Sequence, residues 1–167
     1  MPYSVLSTIA RGAAAIVVAL ALTAGTLLVG ATAPASAATR TATAFSAATS
    51  VEDTFTARIN HARAARGIPR LALNSDLVRV ARDQAARMAA RSTLYHNPRL
   101  TRDVTNWRWV GENVGYGPDA LTVHVAFMQS PGHRANILDR DYTQVGIGSV
   151  VVNGRVWVAE VFRQPMR

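Results

Sequence analysis

The chain has 167 residues, room for one domain and not comfortably two. It has no cysteine, which excludes thiol chemistry and disulfide staples and leaves packing as the source of stability. The formal charge of +8 is carried by 18 basic residues against 10 acids, and every basic residue is arginine. A basic balance fits nucleic acid or an anionic surface. These arginines are spread along an alanine-rich chain, as GC-rich coding also produces. No RNA-binding or helix-turn-helix signature accompanies them, so specific nucleic-acid recognition is not expected.

Arg11 supplies a short positive start, and Gly12 to Ala33 is an uncharged run of small and aliphatic residues. Pro34 breaks it, and Ala35-Ser36-Ala37 offers the small-residue pattern of a signal-peptidase site. Residues 1–37 are therefore expected to be a signal peptide cut after Ala37, giving a secreted protein with no membrane span after processing. The rival reading is a retained anchor, since the run is nearly long enough to cross a bilayer. Ala38 to Ser50 has no periodic apolar face and reads as a flexible linker. Residues 51–167 form the expected domain, with about 110 folded residues, enough to bury a core without staples.

Val51, Phe55, Ile59 and Ala62 recur at helical spacing, with Gly67 as a plausible end and Pro69 beyond it. A second helix starts at the N-cap Asn74, carries the stripe Leu77, Val80, Ala81, Ala85 and Met88, and fades near Ser92. A third is expected over Asp119 to Met128, with Leu121, Val125 and Met128 as its apolar positions. Ser130-Pro131 then restarts a short helix bearing His133, Asn136 and Ile137. Trp107 to Val114 reads as a strand. Val145 to Val152 and Val156 to Phe162 are β-branched runs joined by Asn153-Gly154, which suits a type I′ hairpin turn. Apolar residues on both parities of these runs predict strands buried on both faces. Helices first and a hairpin last predict an α+β domain.

Three residues stand out for chemistry: His96 in His96-Asn97-Pro98, Glu112 in Gly111-Glu112-Asn113, and His133 in Ser130-Pro131-Gly132-His133. No His-Glu-x-x-His is present, so any metal site has to be assembled from distant segments. Spacing alone favours hydrogen-bonded residues holding loops together. His61 and His124 lie within helices and are not expected to ligate. The tryptophans are expected to pack.

These motifs, with Asn60, Arg63, Gly67 and Leu71 before them and Val145-Gly146-Ile147-Gly148 after them, resemble the bacterial branch of the CAP superfamily (cysteine-rich secretory protein, antigen 5, pathogenesis-related 1) over about residues 55 to 163. The resemblance implies a three-layer α-β-α sandwich with a short antiparallel sheet and a central cleft. It places His96, Glu112 and His133 in that cleft, with Asn113 and Tyr116 beside them. It implies that His96 and His133 could hold a divalent metal such as zinc, weakly, in the absence of a third ligand. Glu160 is the one other acid near the pattern, and reads as a strand-end solvent charge.

The expected function is that of a secreted, monomeric binding or cell-envelope-associated module without established catalysis. Its partner would be a small or lipid-like ligand, or an envelope polymer. The alternatives are a weak metal-dependent hydrolase of peptide or peptidoglycan, and a structural domain with an inert cleft. In the last, Asn113 and Asn136 would meet buried backbone groups.

Overall fold

The computed structural model describes residues 4–6 and 35–166, with side chains from residue 48. The expected hydrophobic run 12–33 lies outside the described residues. The elements in order are β1 (Ser4–Leu6), α1 (Ala35–Ala64), β2 (Ala72–Leu73), α2 (Ser75–Arg91), α3 (Leu100–Asp103), β3 (Trp107–Gly117), α4 (Ala120–Gln129), α5 (Pro131–Leu138), β4 (Gln144–Val152) and β5 (Arg155–Pro165).

The strands form one sheet ordered β1-β3-β5-β4-β2. All neighbours are antiparallel except β2 and β4, which pair in parallel over two residues, a contact not anticipated from the sequence. Asn153 and Gly154 both have positive φ, as the type I′ turn between β4 and β5 requires. Because side chains alternate along a strand, β5 splits its residues between two cores. Val156, Val158 and Phe162 meet Phe55 and Ile59 of α1, Val123 and Phe127 of α4, and Ile137 of α5. Trp157, Ala159 and Val161 meet Leu77, Val80, Ala81 and Met88 of α2. The chain is thus a three-layer α-β-α sandwich, with α1, α4 and α5 on one face and α2 on the other.

The second helix forms as its sequence predicts. Asn74 Oδ1 accepts from the backbone nitrogens of Asp76 and Leu77, and Ser92 closes the helix with φ of 48°. The helix lies directly on β4. A Cβ added at Gly146 would overlap the backbone between Leu77 and Val78, and one at Gly148 the backbone of Ala81 and Arg82. The two glycines therefore permit a backbone-to-backbone approach that any side chain would block.

Three features differ from expectation. Helix α1 begins at Ala35, so the stretch 38–50 continues the helix instead of forming an irregular linker. Alanine is the strongest helix former, and five alanines fall within 38–50. In α4 the buried positions are Ala120, Val123, His124, Ala126 and Phe127, while Leu121 and Val125 are 46% and 44% exposed. Of the expected positions Leu121, Val125 and Met128, only Met128 packs against the core, because a helix apolar nearly all round does not fix its own phase. Finally, Ser4–Leu6, expected within the leader, is a strand paired with Val114–Tyr116 of β3.

Two buried charges fasten elements that are distant in the chain. Arg63 is fully buried and donates to the carbonyls of Pro69, Ile137, Asp139 and Tyr142, tying α1 to the turn before β4. Burial lowers its pKa, and Asp139 opposes that shift. Glu52 of α1 accepts from Arg82 of α2 at 2.5 and 2.9 Å and from the backbone nitrogen of Ser149 on β4 at 3.0 Å. Since β2 covers only Gln144 and Val145 of β4, Glu52 satisfies an edge nitrogen beyond the reach of β2.

Candidate functional site

Glu112 and Asn113 are neighbours on β3 and point to opposite faces of the sheet. This single alternation divides the predicted site in two.

On the α2 face, the Glu112 side chain is almost wholly buried. Its Oε2 lies 2.8 Å from His96 Nδ1 and accepts from the backbone nitrogen of Asn97 at 2.9 Å. The loop is fixed further by Asn97, whose Nδ2 donates to Asp103 and whose Oδ1 accepts from the nitrogen of Arg99. Gln84 of α2 donates to the carbonyl of Tyr95, and Arg87 donates to Gln84 Oε1. His96 is the solvent side of this cluster, with a side chain 21% exposed. Glu112 Oε1 is buried without a hydrogen bond. Tyr116, two alternations along the same face, packs at a tilt against Trp157 with ring centroids 4.8 Å apart, beneath the Arg155 guanidinium. At about 3.3 Å per residue it lies some 13 Å along the strand from Glu112 and contributes to a separate aromatic patch.

On the opposite face lies a cluster with a fully buried centre. Asn113 is fully buried. Its amide donates to Glu160 Oε2 at 2.8 Å and to the His133 carbonyl at 3.2 Å, and its Oδ1 accepts from Asn136 at 2.9 Å. Asn136 also reaches the Glu112 carbonyl. His133 is fully buried, stacks on Phe127 with centroids 4.8 Å apart, and has Nδ1 2.8 Å from Ser130 Oγ. Ser130 does stand at the N-cap position of α5, with Pro131 next, but its hydroxyl serves His133 and makes no cap bond. The β3 strand comes close to this layer at Gly111, where a Cβ would stand 2.5 Å from the Tyr142 hydroxyl.

Glu160 corrects the reading of a solvent charge: it is fully buried, and burial pushes its pKa up to about 8 against the opposing hydrogen bond from Asn113. Its Oε1 has no hydrogen-bond partner. The signal was present in the sequence, since a strand apolar on both parities has no solvent face to offer an acid at its centre. His124 is likewise buried. Desolvation chiefly, and the nearby Arg58 charge second, lower its pKa to about 4.

His96 and Glu112 are therefore brought together, as are Asn113, Asn136 and His133, while the two histidines stand on opposite faces of the sheet. Among the described residues no group of three histidines, acids or cysteines is placed to hold a metal ion.

The profile of the cysteine-rich secretory protein family, CAP, matches residues 56–161. The chain belongs to this family. The CAP match spans both helical layers and every residue of the two polar clusters. No curated protein sequence matches the chain. Among solved structures, an extracellular protein of Bacillus anthracis containing an SCP domain aligns with a TM-score of 0.65 at 21% identity, over 81% of this chain and 45% of the other. An outer surface protein of Borrelia burgdorferi aligns with a TM-score of 0.64 at 16% identity, over 70% and 94%. A cysteine-rich secretory protein of Staphylococcus aureus aligns with a TM-score of 0.58 at 22% identity, over 70% and 39%. These likenesses establish the CAP fold. The chain spans less than half the length of the Bacillus and Staphylococcus proteins. Among the described residues, no helix is long and apolar enough to cross a membrane.

Proposed function

We propose that the protein is an exported CAP module that binds at the cell envelope and performs no catalysis at its His/Glu pair. The observation that carries this reading is the commitment of Glu112. One oxygen of its carboxylate holds His96 and the backbone of Asn97, which makes the pair a tie between the His-Asn-Pro loop and β3. A hydrolase would need an activated nucleophile or a metal-held water. His133, the second expected ligand, is stacked on Phe127 across the sheet from His96. Export is supported by the basic and apolar start with its Ala35-Ser36-Ala37 pattern, and by relatives described as extracellular or outer-surface proteins.

Two measurements test the reading. Calorimetric titration with zinc is expected to give no one-to-one binding. Stoichiometric binding abolished by both His96→Ala and His133→Ala, with the fold intact, would restore the metal-dependent hydrolase. N-terminal sequencing of protein recovered from culture supernatant is expected to begin at Ala38. A start upstream of Ala31 would contradict leader removal.

A further inference from the structure

Strand β3 opens with a bulge. Its register against β5 steps from Trp107 opposite Pro165 to Trp109 opposite Gln164, so Arg108 is an extra residue with no partner of its own. In an unbroken strand Trp107 and Trp109 would share a face. The bulge separates them. Trp107 packs with the α2 core, and its Nε1 donates to the Thr101 carbonyl at 3.1 Å. Trp109 is turned out of that core and is 54% exposed. Among the described residues its indole makes no hydrogen bond, ring contact or cation contact.

The same end of the sheet carries a second apolar tip. Met166, just past β5, is 62% exposed, and its nitrogen donates to the Asn106 carbonyl at 3.4 Å. The segment leading into β3 is held in place. Arg163 donates to the Thr105 carbonyl at 2.9 Å, and Asn106 turns the chain with φ of 52°.

The charge here is one-sided. Residues 99–110 hold three arginines and one acid, Asp103. That acid is engaged by Arg99 at 3.8 Å and by Asn97 at 3.0 Å. Arg102 and Arg108 are exposed and, among the described residues, pair with no acid. Their setting separates them from the other arginines. Trp109 is the one aromatic among the exposed large apolar residues described, and Arg108 adjoins it in the strand. Arg91 and Arg155 also meet aromatic rings, but those of Tyr95 and Tyr116, which are half-buried.

We infer that this end of the sheet is a docking surface for an anionic lipid bilayer. Trp109 and Met166 enter the boundary between headgroups and acyl chains, and Arg102 and Arg108 face the lipid phosphates. An indole with a free N–H suits that boundary, being apolar in body and polar at one point. A soluble anionic polymer would engage the arginines and leave Trp109 idle. The inference deepens the envelope reading above and rests on it for where the protein meets a bilayer.

The test uses protein recovered from culture supernatant, with vesicles of phosphatidylglycerol and phosphatidylcholine at low salt. The parent is expected to sediment with the mixed vesicles, to release them as salt rises, and to ignore pure phosphatidylcholine. Brominated acyl chains should quench part of its tryptophan fluorescence. Trp109→Phe should keep most of the binding and lose that quenching. Trp109→Ser should weaken binding at least about fivefold. Arg102→Gln and Arg108→Gln should each weaken it about fivefold. Arg79→Gln, an exposed arginine on α2, should leave it unchanged.

No binding to the mixed vesicles overturns the surface. So does quenching that survives in Trp109→Phe, or an Arg79→Gln loss equal to that of Arg108→Gln. Binding to soluble poly(glycerol phosphate) that needs the arginines and not Trp109 overturns the bilayer assignment. A retained leader would add the same binding to every variant. It would show in N-terminal sequencing and not in the differences between variants, so the two readings fail separately.

Discussion

The two polar clusters on either side of β3 are built from adjacent residues and behave as different materials. The Glu112 cluster has a solvent side. Its histidine is partly exposed, and its carboxylate fastens a loop. The Asn113 cluster is closed at its centre: Asn113, His133 and Glu160 are all fully buried, and only Asn136 and Ser130 at its rim are half-buried. A partly exposed histidine at a loop boundary can be lost at modest cost. An asparagine satisfying a buried acid and a buried carbonyl cannot, since its loss strands both. The residue that looks chemical in the sequence is thus the more dispensable of the two for folding.

That contrast can be broken most severely from the α2 side. Gly148→Ala drives a Cβ into the Arg82 backbone and should lower stability by about 3 kcal/mol or more in urea unfolding, with the loss of the whole layer that backs Glu112. Asn113→Leu, which leaves Glu160 Oε2 and the His133 carbonyl unpaired, should cost about 2–3 kcal/mol by the same measurement.

Glu160→Gln sharpens the comparison through pH. Burial holds the Glu160 proton to about pH 8, against an ordinary value of 4.5. The unfolded chain releases that proton earlier than the folded one, so the contribution is fully present below about pH 4.5 and is lost as pH rises toward 8. Denaturation midpoints across this window should fall in the parent. The variant should lack this component of the fall and gain most over the parent at pH 8. An unchanged slope would contradict the placement of Glu160. The smallest effect is expected from His96→Ala, about 1 kcal/mol or less, because Asn97 still serves the Glu112 carboxylate.

Much of this was legible in the chain. The Asn74 cap, the α2 stripe, the Asn153-Gly154 turn and the amide bridging role of Asn113 and Asn136 follow from side-chain chemistry acting locally. Phase and facing were harder. The Gly111-Glu112-Asn113 motif reads as one unit, yet a strand sends its second and third residues to opposite layers. Likewise α4 offers apolar residues on nearly every side. Only the packing of Val123 and Phe127 over Gly115 decides which of them turn inward. Glu160 went unrecognised because an acid is ordinarily a surface residue, although the two-sided burial of its strand already argued otherwise.

Glu52 has a bearing on the protein's behaviour at high local concentration. Beyond its two paired residues, the outer side of β4 would be a row of bare backbone groups, open to a strand from another molecule. A carboxylate bonded to the Ser149 nitrogen, with an arginine from the opposite layer behind it, occupies that approach with charge. A second chain could pair there only by displacing the ion pair and burying its members unpaired. The contact that joins the two helical layers therefore also shields this edge of the sheet from pairing with a strand of another molecule.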